Sequence, residues 1–387
     1  MSFDFKMPRI GLVGGGQLAR MFVLRARAMG FSTTILDPDP HAPASPIADA
    51  QIVGSVHNRE ALYELAENCD VISYELEHID SDTLCTLAEQ GHAIIPHPKV
   101  LQCIQDKAVQ KQTLSEHDLP VPKMHVVDTP TAEAFQSFGY PLVQKARTGG
   151  YDGRGVIVLH GPEDFPKALQ TPSLLEECVS IDKELAIMIA RSPKGEIACY
   201  PVVEMVFDPQ ANICDSVLAP ARIDATQAQH ATQLAVKAIE AIEGFGLFGV
   251  EMFLTATREI LINEIAPRPH NSGHYTMEAC VTDQFEQHLR AICNLPLGQT
   301  TLLSPAVMVN LLGAPEHTGT PQLQGLSQVL EIPGLALHLY GKAQTRPLRK
   351  MGHVTILAKT PEQALKLAEQ AQKTMRILAS EPSGVQS

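Results

Sequence analysis

Between residues 9 and 96, short apolar runs alternate with amphipathic ones, and no other property of the chain narrows its possible folds as much. Residues 9–13, 32–36, 51–55, 71–74 and 93–96 read as strands, and residues 17–28, 59–68 and 80–90 as helices. Strands separated by helical crossovers build a parallel sheet with helices on its faces. The opening turn, Gly14-Gly15-Gly16-Gln17-Leu18-Ala19, fits G-x-G-x-x-A. Asp37 ends the second strand about where a dinucleotide fold carries its ribose-binding acid. Such a turn also serves simply to pack a helix against a strand, so a binding reading and a packing reading both stand.

At 387 residues the chain is too long for one ordinary core and implies two or three domains. The expected organisation is a Rossmann-like α/β domain over 1–98, an α+β domain over 99–298 with a lid lobe at about 120–205, and a small β-rich domain over 299–387. In the second region a helix at 105–117 precedes strands at 123–127, 142–146, 156–159, 174–179, 184–190, 197–206 and 213–218, and a helix at 225–243 follows. The third carries strands at 306–312, 335–340 and 353–357 and a helix at 361–375.

With 44% hydrophobic and 19% charged residues, the composition is that of a soluble globular protein. A net charge of -13 argues against broad binding to nucleic acid or anionic membrane, so a polyanionic ligand must be met by local cations. The eight cysteines form no CxxC pair and are expected as reduced core residues. Neither a secretory leader nor a membrane-length apolar run is present, and a cytoplasmic protein is expected.

Two acids interrupt otherwise apolar strands at 248–254 and 259–265, with residues 255–258 between them as turn. Pairing Thr255 with Arg258 puts Glu251 opposite Ile262 and makes Glu264 its diagonal neighbour on the same face, with Ala266 and Arg268 following onto it. The plain reading is a solvated sheet face. The apolar flanks indicate burial instead, where a carboxylate needs a partner, and two carboxylates completed by phosphate and water are a usual magnesium site.

Cations are gathered in two places. Lys145-Ala146-Arg147-Thr148-Gly149-Gly150-Tyr151-Asp152-Gly153-Arg154-Gly155 lies between two strands and resembles a phosphate lid, while no Walker A pattern occurs. Residues 346–353 are basic in an acidic chain and suit a phosphate monoester, or else form a solvated face. Residues 268–274 are richer in hydrogen-bonding groups than a connection needs. His270 and His274 could be read as a zinc pair but have no third ligand at a fitting spacing.

A mobile glycine loop between strands, a lysine on the strand before it and two carboxylates on late strands resemble the ATP-grasp superfamily of carboxylate-amine ligases. Within it the chain resembles the 5-(carboxyamino)imidazole ribonucleotide synthases of purine biosynthesis, the ATPase subunits of phosphoribosylaminoimidazole carboxylase. The resemblance runs from Ile10 to about Leu357, through IGLVGGGQLARM, VISYELEHI, QDKAVQK, GGYDGRG, YPVVE, LAPARI, NEIAPRPHNSGHYT, LYGK and RKMGH in the family's order.

The resemblance implies a three-domain, homodimeric ligase that makes carboxyphosphate from ATP and bicarbonate and passes the carboxyl group, through carbon dioxide, to the exocyclic amine of aminoimidazole ribonucleotide. It implies phosphate contacts from Lys107 and Lys145, and a lid of Gly150, Tyr151, Asp152, Gly153, Arg154, Gly155 and Val156. Glu176, Glu177, Cys178 and Val179 would link the lobes and read the adenine edge, with Glu184 on the ribose. Glu251 and Glu264, with Asn263 beside them, would hold magnesium and ATP. The ribonucleotide and bicarbonate site would comprise Glu75, Tyr151, Asp152, Arg154, Arg268, His270, Asn271 and Lys350. Arg268 would hold bicarbonate, Arg154 would belong to the same catalytic group, and His270 or Asp152 would accept the amine proton.

Three positions depart from the family. Ala266 stands where many ATP-grasp enzymes carry an Asn metal ligand, as this subgroup tolerates. Val203-Glu204-Met205-Val206-Phe207 lacks the His of V-E-N-x-H, so that nucleotide contact is not carried over. Leu348 replaces a usual Gly. Other readings are a formate-dependent or amino-acid ligase with the same nucleotide site, a non-catalytic nucleotide-binding module, and a nicotinamide-dependent dehydrogenase built on the Gly14 turn.

Overall fold

The computed structural model describes residues 7–150, 155–208 and 213–380. Tyr151, Asp152, Gly153 and Arg154, expected in the lid, lie outside the described residues. The first region follows expectation, with β1 (Ile10–Val13), α1 (Gln17–Ala28), β2 (Thr33–Asp37), β3 (Ala50–Val53), α2 (Arg59–Asn68), β4 (Val71–Tyr74) and α3 (Ser81–Glu89). The strands pair in parallel in the order β3-β2-β1-β4. The expected strand at 93–96 shrinks to one bridge, Ile72 to Ile94, because Pro96 has no N–H with which to extend a ladder.

The expected helix at 105–117 is two helices, α4 (Pro98–Gln105) and α5 (Lys107–Glu116), broken at Asp106. Asp106 is extended (φ -105, ψ 106) and caps α5, its Oδ1 accepting from the N–H of Ala108 at 2.9 Å. Then come β5 (Met124–Val127), the unanticipated α6 (Ala132–Phe138), β6 (Leu142–Ala146), β7 (Val156–Leu159) and β8 (Ser173–Glu177). They form a four-stranded antiparallel sheet, order β5-β8-β6-β7, over a small core of its own that includes Phe135, Leu142, Leu159 and Leu175.

The remainder comprises β9 (Ile181–Arg191), β10 (Ile197–Cys199), β11 (Val203–Phe207), β12 (Cys214–Ala219), α7 (Ala225–Ala241), β13 (Gly246–Thr255) and β14 (Ile260–Ala266). After these come α8 (Thr276–Ala279), α9 (Gln284–Ile292), β15 (Ala306–Leu312), β16 (Pro321–Gln324), α10 (Leu326–Leu330), β17 (Leu335–Leu339), β18 (Lys350–Leu357), α11 (Pro361–Thr374) and β19 (Arg376–Ala379). The expected strand at 197–206 splits into β10 and β11 around Pro201, which cannot donate to a ladder. The main sheet runs β14-β13-β9-β11-β12-β15-β18-β17, with β10 on β9, so strands after residue 300 extend the sheet that carries the acidic hairpin. Among the described residues no helix is long and apolar enough to cross a membrane.

Candidate active site

The acids meet by a different register from the expected one. The turn is one residue longer, with the Thr255 N–H donating to the Glu259 carbonyl at 2.8 Å and Arg258 at φ 70. Met252 therefore faces Ile262. That slip alone would turn Glu264 to the wrong face. A bulge at Asn263 then adds a second one-residue shift, and Glu251 lies directly opposite Glu264 instead of opposite Ile262. The two residues of a bulge that oppose one partner both point to that partner's face, so Asn263 joins the carboxylates.

Three lysines converge on this bulge. Lys107, the first residue of α5, reaches Glu264 Oε1 at 2.6 Å. Lys145 on β6 donates to Asn263 Oδ1 at 2.9 Å and pairs with Glu176 Oε2 at 2.7 Å. Lys111, only 2% exposed, donates to the Ile262 carbonyl at 2.9 Å and lies 3.2 Å from Glu176 Oε1.

The electrostatics follow from burial and from which acid has a partner. Burial, then the charges of Glu264 and Glu184, push the Glu251 carboxyl up to about 8. Burial alone would raise Glu264 as well, but Lys107, with Lys145 and His270, more than offsets it and the carboxyl is held below the ordinary value. Burial brings Glu184 up to about 7 and Lys111 down to about 8, the latter in spite of Glu176.

On the acceptor side, the Arg268 guanidinium pairs with Glu77 Oε1 at 2.7 Å. His270 lies 3.5 Å from Glu251 Oε1 through Nε2, and its Nδ1 bonds the Ser272 hydroxyl at 2.9 Å. Its ring passes so close to Gly249 that a Cβ there would come within 2.9 Å of the His270 Cβ. Asn271 and Asn310 exchange amide hydrogen bonds of 2.9 and 2.8 Å. Lys350 opens β18 and acts on the charge of Glu251.

Glu75 accepts from the N–H groups of Gly16 and, at 2.7 Å, Ala19. Asp37 Oδ2 accepts from the Gly15 N–H at 2.8 Å. The glycine turn is thus filled by the chain's own carboxylates, which favours the packing reading over dinucleotide binding. Glu176, Glu177, Cys178 and Val179 cross from β8 toward β9; Glu177 and Cys178 are exposed, and Glu177 accepts from the Lys123 N–H at 2.8 Å. Gly155 has φ 76, and Val156 pairs with Lys145 at the start of β7. All eight cysteines are free, and Cys178, unlike the expected core cysteines, is exposed. Leu348 adopts φ 63, a conformation glycine takes without strain.

Three family matches tile the chain: a ribonucleotide synthetase preATP-grasp domain over 7–105, an ATP-grasp domain over 112–285, and a phosphoribosylaminoimidazole carboxylase C-terminal domain over 306–367. The N5-carboxyaminoimidazole ribonucleotide synthase of Synechococcus elongatus is 40% identical, over 96% of this chain and 93% of its own length. The chain belongs to the N5-carboxyaminoimidazole ribonucleotide synthase family of ATP-grasp proteins. The synthetase of Thermotoga maritima superposes with a TM-score of 0.91 at 50% identity, covering 97% of this chain and all of that one. The Aspergillus clavatus synthase, solved with ADP and 5-aminoimidazole ribonucleotide, gives 0.87 at 35% identity, covering 95% and 98%. Of the fungal phosphoribosylaminoimidazole carboxylases the chain spans about two-thirds, 66% of the Schizosaccharomyces pombe protein at 42% identity over 92% of this chain.

For a member of this synthase family, the oxygen donors Glu251, Glu264 and Asn263 fit magnesium, which keeps waters and phosphate oxygens among its ligands. The repulsion that raises Glu251 is what a divalent cation would offset. Among the described residues no group of three His, Cys, Asp or Glu could hold a metal by itself. His274 bonds Gln284 at 2.8 Å through Nδ1 and stacks on His353, an arrangement unlike a zinc pair with His270. Sequence reading missed Lys111, Glu77, Asn310 and the Arg147–Asp106 clamp. Lys111 was within reach, standing four residues after Lys107 on one helix face, whereas nothing local marks Glu77.

Proposed function

We propose that this chain is an ATP- and bicarbonate-dependent ligase that carboxylates 5-aminoimidazole ribonucleotide to 5-carboxyaminoimidazole ribonucleotide in de novo purine biosynthesis, acting as a cytoplasmic homodimer. We propose domains over 1–98, 99–298 and 299–387. One observation carries the reading: Glu251, Asn263 and Glu264 share a sheet face with Lys107 and Lys145 against them, and Lys350 acts on Glu251.

Phosphoryl transfer needs positioning and charge neutralisation more than covalent help. Lys107 and Lys145 would release their carboxylate and amide partners to ATP phosphates, and Glu176, Cys178, Val179 and Glu184 would take the adenine and ribose. Gly150, Gly155 and Val156, with Tyr151, Asp152, Gly153 and Arg154, would cover the phosphates. Magnesium held by Glu251 and Glu264 would neutralise phosphate charge. A bicarbonate oxygen, held by Arg268, takes the γ-phosphoryl group, and ADP leaves. Carboxyphosphate then loses phosphate as carbon dioxide is released, and the exocyclic amine of the ribonucleotide, held by Glu75, Asn271 and Lys350, bonds to the carbon. His270 or Asp152 takes the proton the amine gives up. Carboxyphosphate hydrolyses readily, so exclusion of water by the covering lobe is a requirement.

The test is phosphate release with ATP, magnesium, bicarbonate and aminoimidazole ribonucleotide, repeated with Glu264→Gln. A loss of roughly 10²-fold is expected for the variant. Release that ignores omission of the ribonucleotide, or survives the substitution in a folded protein, would overturn the assignment.

A further inference from the structure

The hairpin strand β14 stands at the edge of the main sheet, with β13 on one side only. An edge strand leaves half its backbone groups unpaired. Here α5 and the segment after it supply the partners. The Gln110 amide spans Ile265, its Nε2 donating to the Ile265 carbonyl at 3.3 Å and its Oε1 accepting from the Ile265 N–H at 3.1 Å. The Ile262 N–H donates to the Pro120 carbonyl at 2.8 Å, and the Ile262 carbonyl accepts from the buried Lys111 ammonium at 2.9 Å. Asn263 and Glu264, between these anchored residues, have their side chains on Lys145 and Lys107.

We propose that Lys111 is a positioning residue for the nucleotide site, its ammonium clamping the Asn263 bulge from behind while holding Glu176 against Lys145. The proposal rests on the reading of this cleft as the ATP site. A bulge disrupts its ladder locally and needs outside support to keep one conformation. Lys111 gives that support at the residue just before the bulge, on the strand edge that no strand among the described residues covers. The same ammonium neutralises one side of Glu176, whose other oxygen orients Lys145 toward Asn263. Lys111 lies behind these groups and is itself almost wholly buried, so it acts through Asn263, Glu264 and Lys145.

Lys111→Met removes both contacts at nearly unchanged volume. The expected result is a KM for ATP raised roughly tenfold, with the KM for the ribonucleotide within about twofold of wild type, since small misplacement at a site is costly only for what binds there. Lys111→Arg should recover part of the loss. Calorimetric affinity for ADP with magnesium gives the same comparison without turnover. Equal ADP affinity in the folded Met variant, or an equal rise in both KM values, would overturn the role of Lys111. Absence of ADP binding by the wild type would instead overturn the nucleotide-site reading. Should the Met variant not fold, Lys111→Gln is the second test: glutamine is too short to bridge Ile262 and Glu176, and unchanged ADP affinity would again overturn the proposal.

Discussion

Glu251 and Glu264 face each other across a strand pair, an arrangement that like charges ordinarily make unfavourable. The molecule resolves it unevenly: Lys107 keeps Glu264 charged, while burial and that same neighbour hold Glu251 protonated up to about pH 8. A carboxyl whose folded value is raised contributes stability below its unfolded value of about 4.3 and loses it as pH rises through the folded one. Glu251→Gln, an isostere of the protonated acid, escapes that loss, so it should already be more stable than wild type at pH 6, and the gain should be largest above pH 8. Its magnesium-dependent ADP affinity should fall at least roughly tenfold. Denaturant unfolding at pH 6 and 9, with calorimetry beside it, checks both; a variant unstable at pH 6 refutes the account. Glu251 and Glu264 were legible because an acid inside an apolar strand demands a partner. Lys111 was only half legible: its spacing from Lys107 puts both on one helix face, but a lysine on a helix ordinarily reads as solvated, and its burial depends on a strand residue 151 positions away.

At the scale of elements, the break between α4 and α5 sets where the lysines stand. Asp106 both caps α5 and receives Arg147, whose guanidinium reaches it at 2.6 Å from the end of β6. Loss of such a cap costs about 1 kcal/mol. Asp106→Ala should cost that or somewhat more in denaturant unfolding and weaken ADP binding through Lys107, whereas a stability loss with unchanged ADP affinity would separate the cap from the site. The break was hidden from the sequence because helical pattern continues on both sides and its cause sits 41 residues away. Hairpin strands were legible, but not their register, since the bulge marks the sequence only as two adjacent polar residues, Asn263 and Glu264, in an otherwise apolar strand. The connection after β14 has its own logic. Its 3-10 turn, Asn271–Gly273, docks at two points, Asn271 on Asn310 and His274 on His353, and these receivers are paired neighbours on β15 and β18. Side chains three apart on such a turn eclipse, which suits adjacent strands.

In the whole molecule, His353 is the middle of a stack, 4.7 Å from His274 and 4.6 Å from His338, with its Nδ1 on the Tyr340 hydroxyl at 3.0 Å. Burial holds His274 and His353 well below the ordinary histidine value, helped at His274 by His270, Lys350, His338 and Arg268, and burial lowers His288 to about 3. These groups are neutral when folded and protonate when unfolded, so the stability they confer is present above pH 6.5 and lost as pH falls below it. Each can contribute at most about 1.4 kcal/mol per pH unit. His353→Phe should flatten the fall in unfolding free energy between pH 6.5 and 4.5 by up to that amount; parallel curves would refute it. The parallel sheet and the split into regions were legible from periodicity alone. That the last strands join the acidic hairpin's sheet was not, because strand order across long connections leaves no local trace.

The glycine turn has a historical consequence. A Cβ on Gly16 would come within 2.6 Å of Glu75 Oε1, so a side chain there would push the carboxylate off the Gly16 and Ala19 N–H groups. Gly16 can acquire a side chain only where the Glu75 carboxylate swings aside or is lost. A lineage that loses Glu75 first bares the N–H groups of Gly16 and Ala19 at a helix start, where a phosphate is welcome. The path from packing device to nucleotide cradle is then one substitution long, and it begins at the acid.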